Sequence, residues 1–135
     1  VGGAEALREQ ALDYSQMRMQ FGRVISSFQT MKHKQADMLI DVELAKSAAY
    51  YAAAAADEAL DEFPAIASLA KAGASEAYVQ TAIHTIQIHG GIGFTWDNDT
   101  HLWFKRAKSS EVFLGDANFH RERMLRHWQE ATTQV

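Results

Sequence analysis

The feature that most constrains this 135-residue chain is a segment from Phe28 to about Glu62 that contains neither glycine nor proline. Within it Phe28, Met31, Gln35, Met38, Val42, Ala45, Ala49 and Ala52 recur at three- and four-residue intervals, with acids and lysines on the other faces. An α-helix brings such positions onto one side, so the spacing predicts one long helix with a buried stripe. The run Ala48-Ala49-Tyr50-Tyr51-Ala52-Ala53-Ala54-Ala55-Ala56 adds high helix propensity, and its small side chains are expected to let neighbouring helices approach closely.

The flanking segments follow the same period. From Ala4 to about Gln20, Leu7, Ala11, Tyr14 and Met17 share one helical face, and Gly22 suits the position just past the helix end. Pro64, the only proline, fits the first turn of a third helix, where its missing N–H has no helical partner. That helix is expected to run to about His89, with apolar residues around much of its cylinder and Gly73 at a close crossing. Asp99 or Thr100 is expected to cap a fourth helix ending near Leu114, and Asp116 a fifth ending near Gln129. No alternating Val/Ile/Thr run predicts a strand, and no repeat is visible. The expected fold is all-α: an antiparallel bundle of four or five helices, with residues 1–135 forming a single domain.

The net charge of −4 offers no general electrostatic reason to bind nucleic acid or an anionic membrane. With no cysteine there is no disulfide framework or thiolate chemistry, and a reducing, cytoplasmic setting is expected. No run of about 18 apolar residues predicts a membrane span. The start, Val1-Gly2-Gly3-Ala4-Glu5, lacks a basic segment followed by an apolar one, so an unsecreted, processed or excised chain is expected.

One stretch interrupts the helical pattern: Gln87-Ile88-His89-Gly90-Gly91-Ile92-Gly93-Phe94-Thr95. Read locally, it allows either a helix stop or a close ligand contact. It is not a Walker A loop, because no Lys-Ser or Lys-Thr follows, and it follows a helix where the dinucleotide fingerprint follows a strand. His89 reads as a hydrogen-bonded histidine at a helix end. A second corner, Arg18-Met19-Gln20-Phe21-Gly22, allows a hydrophobic clamp with a solvated cation, or a recognition site. The six histidines lack metal-ligand spacing, so no metal site is expected. Ser109 and Ser110 lie inside a predicted helix without the context of a nucleophile, and Lys105, Arg106 and Lys108 read as a solvated helix face.

Taken in order, Arg18-Met19-Gln20-Phe21-Gly22, Gln29, the glycine stretch and the segment from Lys105-Arg106-Ala107-Lys108 to Gly115 resemble the C-terminal helical domain of the acyl-CoA dehydrogenase flavoproteins. The resemblance covers nearly the whole chain. It implies that a complete subunit also has an N-terminal helical domain and a middle β domain, both absent from this sequence. It further implies FAD as cofactor and an acyl-CoA thioester as substrate. Homo- or hetero-oligomers would assemble through the helices.

By the same resemblance, Arg18 meets the FAD diphosphate of a neighbouring subunit, Gln20, Phe21 and Gln29 line the cofactor, and Gln87, Gly90 and Gly91 lie along its adenosine and diphosphate. Asn118 stands where the family often has a cofactor-contacting Gln, and Asp116 where it often has Thr. The family's catalytic Glu commonly precedes a Gly-Thr-x-Gln stretch; here Leu114 occupies that position, and a leucine takes no proton. Glu111, three residues earlier, is expected to face elsewhere. The base would then lie upstream of Val1, as in some members, or in a partner subunit, as in hetero-oligomers acting on steroid side-chain thioesters. Residues 1–135 alone are expected to be inactive, and a helical assembly module without a flavin role is the alternative.

Overall fold

The computed structural model describes the backbone of residues 1–133 and the side chains of residues 1–130. Five helices follow along the chain: α1 (Gly2–Met17), α2 (Gln29–Asp57), α3 (Phe63–His89), α4 (Thr100–Val112) and α5 (Ala117–Thr133). A small antiparallel hairpin, β1 (Met19–Gln20) and β2 (Arg23–Val24), separates α1 from α2. Short 3₁₀ turns over Ile25–Ser27 and Gly90–Phe94 lead into α2 and out of α3. The all-α fold is the one the periodicity predicts.

The bundle is arranged around α3, which packs against each of the other four helices. Its sequence explains this. Ala65, Ile66, Ala70, Ala72, Ala77, Val79, Ala82, Ile86 and Ile88 are buried, and they point in several directions around the axis. Pro64 lies in its first turn, as expected. One core joins α1, α3 and α4 through Leu7, Val79, Ala82 and Ala107. Another joins α1, α2, α3 and the first 3₁₀ turn through Ala11, Ile25, Met38 and Ile88, with Tyr14, Phe28 and Met31 packed on it. Fully buried side chains such as Leu7 and Met38 each contribute about 1.5–3 kcal/mol relative to exposure.

A polar tie fastens α4 to α3. Lys71 Nζ donates to Ser75 Oγ at 2.6 Å and to the carbonyls of Ser110 and Glu111 at 3.1 and 3.3 Å. These are carbonyls of the last turn of α4, which lack helical partners and carry the negative end of its dipole. Burial pushes the Lys71 pKa down, against the opposing pull of Glu111 and Asp116.

Several local expectations are corrected. The first helix stops at Met17 instead of Gln20, leaving Met17 exposed, and Gly22 sits in a hairpin turn. Phe21 and Gly22 both have positive φ, 54° and 76°, the pattern of the two-residue turn that matches strand twist. Strands of two residues are too short to leave an alternating signature. The second helix ends at Asp57, ahead of Glu62, because the chain reverses at Ala59. Gly73 marks no close crossing: a Cβ there would meet nothing within 4 Å. Of the alanines at 52–56 only Ala55 is buried, so most of that run faces outward. No helix among the described residues is long and apolar enough to cross a membrane.

Candidate functional site: a cleft beside the glycine turn and an elbow after α4

Arg18 ends α1 in an extended conformation, its N–H donating to Tyr14 O at 2.9 Å. The hairpin then folds back, pairing Met19 with Val24 and Gln20 with Arg23, and Ile25 N donates to Arg18 O at 2.9 Å. This places Phe21 at the hairpin tip, edge-on to Phe28, while the Arg23 guanidinium stacks 3.9 Å above the Phe28 ring. Arg23 is thereby engaged. Arg18 is exposed and has no ion pair among the described residues.

Opposite the hairpin, α3 ends at His89, and Gly90 takes φ 65°, which turns the chain into the 3₁₀ segment. His89 is buried, its ring stacked on Tyr14 at 4.2 Å and 20°, with Nδ1 2.8 Å from Thr85 O. Gly93 is tight for an internal reason, since a Cβ would lie 3.1 Å from Ile86 O. Gly91 has no such reason. Its φ lies outside the left-handed region and a Cβ would meet nothing within 4 Å.

Between these corners lies a cleft of about 680 Å³. It brings together Arg18, Gln20, Phe21, Gly90 and Gly91, five of the eight residues expected at the cofactor. The other three lie outside it. Gln29 donates to His33 Nε2 at 3.1 Å, and Gln87 accepts from Lys34 Nζ at 3.0 Å across the α2–α3 seam. Asn118 is exposed on α5, at the other corner of the molecule's chemistry. The cleft wall also includes Tyr14 and Phe28, which the sequence marked only as helix-face residues, Ile88 of the glycine stretch, and Ile25, which no sequence signal singled out. Their pairing across three elements is a tertiary event with no local signature.

The second corner joins α4 to α5. Phe113 is extended, Leu114 has φ 63°, and Gly115 φ 103°. His120 Nε2–H donates to Leu114 O at 3.0 Å, and Asp116 Oδ1 accepts from Phe119 N at 2.8 Å. Asp116 is therefore the cap of α5 that the sequence predicts. Leu114 itself is 73% exposed at the apex. The Glu111 carboxylate is ion-paired with Lys108. Lys105 lies over the exposed Trp96 ring at 5.0 Å, so Lys105 and Lys108 are both engaged within the chain.

Residues 1–128 match the family model described as acyl-CoA dehydrogenase, C-terminal domain. The chain belongs to the acyl-CoA dehydrogenase family. Acyl-CoA dehydrogenase IpdE2 of Mycobacterium tuberculosis is 40% identical over 114 residues, which is 84% of this chain and 34% of IpdE2. A variant of the Tcur3481-Tcur3483 steroid ACAD superposes with a TM-score of 0.93 at 29% identity, over 98% of this chain and 36% of that one. A structure described as an FAD-dependent dehydrogenase gives 0.90 at 31% identity, over 94% and 34%. The chain thus spans about a third of the length of these acyl-CoA dehydrogenase relatives.

Proposed function

We propose that this chain serves an acyl-CoA dehydrogenase-like flavoprotein by forming one wall of an FAD site and part of an oligomer interface, without supplying the catalytic base. The observation that carries this reading is Gly91. A Cβ there would meet nothing within 4 Å, so its backbone is open to close approach from the cleft, and it shares that cleft with Arg18, Gln20, Phe21 and Gly90.

The cleft chemistry fits a dinucleotide. The unpaired Arg18 guanidinium offers a planar fork of donors to a diphosphate, and Gln20 lies on the same wall. Phe21, Phe28 and Ile25 give apolar surface suited to a flat ring. The chemistry FAD supplies when bound is acceptance of a hydride during α,β-dehydrogenation of an acyl-CoA thioester. Leu114 cannot accept the accompanying α proton, and the Glu111 carboxylate is held by Lys108. On this reading the base comes from outside residues 1–135, and this piece alone is inactive.

The test is Arg18→Ala in the full-length protein. The expected outcome is loss of FAD on purification, read from the flavin absorbance per protein, at an unchanged melting profile of the helices. Unchanged FAD content would favour the second reading, a helical assembly module with no flavin role. What speaks for that second reading is the exposed apolar series Leu39, Ile40, Leu44, Tyr50 and Tyr51 on α2, a surface suited to burial against a partner.

A further inference from the structure

We propose that His89 is a specificity-determining residue of the cleft, its Nε2 accepting a hydrogen bond from a neutral O–H or N–H donor on the nucleoside portion of a bound dinucleotide. The proposal rests on the reading of the cleft as an FAD wall and adds what its polar face selects.

The protonation pattern of His89 follows from its partner. Thr85 O is a carbonyl and only accepts, so the 2.8 Å contact requires the proton on Nδ1. In a neutral imidazole the other nitrogen is then an acceptor alone. The ring is not free to turn: Tyr14 stacks on it at 4.2 Å, and the residue is 7% exposed. Among the described residues Nε2 has no hydrogen-bond partner, yet it is not one of the polar atoms sealed in the interior without one. His89 is part of the cleft lining, so a ligand in that cleft is the partner proposed for Nε2.

A fixed acceptor in a mostly apolar wall discriminates by hydrogen-bonding sense. Ionised phosphate oxygens have no proton to offer it, whereas a hydroxyl or an amino group does. Arg18, on the same cleft, carries donors only. Beside Tyr14, Gln20 and Thr30, whose side chains can both donate and accept, the cleft therefore presents two groups of fixed and opposite sense, one suited to the anionic part of a nucleotide and one to its sugar or base. A ligand that leaves Nε2 unpaired forfeits the hydrogen bond that water would otherwise have given it.

The experiment uses the full-length flavoprotein, stripped of FAD and titrated with FAD or with analogues whose adenosine lacks either a ribose hydroxyl or the 6-amino group. Wild type is expected to lose about 5-fold in affinity for one analogue class, the size of one neutral hydrogen bond, which identifies the donor. His89→Phe, which keeps an aromatic ring against Tyr14, is expected to bind FAD about 5-fold more weakly and to lose that discrimination. Equal affinity of wild type for FAD and all analogues overturns the proposal even if the variant fails to fold. So does discrimination retained in His89→Phe. If Arg18→Ala abolishes FAD binding while His89→Phe behaves as wild type, the inference fails and the FAD reading survives. If neither substitution affects binding, both fail.

Discussion

Among the described residues Ala59, Phe21 and Leu114 are the non-glycine positions with positive φ, and each stands where the chain reverses. At Ala59 the cause is visible in the hydrogen bonds: Leu60 N reaches Ala55 O at 3.0 Å and Ala59 N reaches Ala56 O at 3.2 Å, the Schellman pattern. That pattern normally takes glycine, because an L side chain in the left-handed region costs about 1–2 kcal/mol. Ala59→Gly is therefore expected to stabilise the fold by about 0.5–1 kcal/mol after its extra unfolded-state entropy, seen as a higher urea midpoint at unchanged slope. A lower midpoint would show that Ala59 makes contacts outweighing its backbone strain. The alanine also explains why the helix end was not legible from sequence. Asp116, by contrast, was legible, because a side-chain cap uses a residue type that advertises its role, three positions before the N–H it accepts from.

The elements show the same division between local and tertiary signals. The stripe of α2 was readable because Met38, Val42 and Ala45 repeat on a helical period and are buried, and the central place of α3 because Val79, Ile86 and Ile88 put apolar surface on more than one side of it. The hairpin was not, because four paired residues hold no period. The α2–α3 seam holds a titratable element of its own. Burial pushes the His84 pKa down, and Lys34 adds to the effect while Asp37 and Asp41 oppose it. Its Nδ1 is buried without a partner. With the folded pKa below the unfolded value of about 6.5, the unfolded chain binds more protons there, so His84 subtracts stability as pH falls through and below that value. His84→Gln should therefore lose less of its melting temperature between pH 7 and pH 5 than wild type. Parallel curves would remove His84 from the acid response.

At the scale of the whole molecule, the outer side of α2 remains unpaired while α3 is surrounded. Leu44 and Leu69 line a groove of about 450 Å³ between α2 and α3, and Ile40 and Tyr51 are exposed further along α2. Ile40→Arg combined with Leu44→Arg is expected to lower the mass of the full-length assembly measured by light scattering, with helical circular dichroism unchanged. An unchanged mass would move the interface elsewhere. Ile40, Leu44 and Tyr51 fall outside the buried stripe of α2, so no period within the chain encodes what this face meets.

The elbow at Leu114 has a different kind of consequence. His120 holds its carbonyl, Lys71 the carbonyls of residues 110 and 111, and Asp116 the next helix start, while the side chain at position 114 holds nothing. The backbone there is a socket and the side chain an interchangeable fitting. An exchange of leucine for a carboxylate at the apex, or the reverse, therefore leaves in place every hydrogen bond that shapes the elbow.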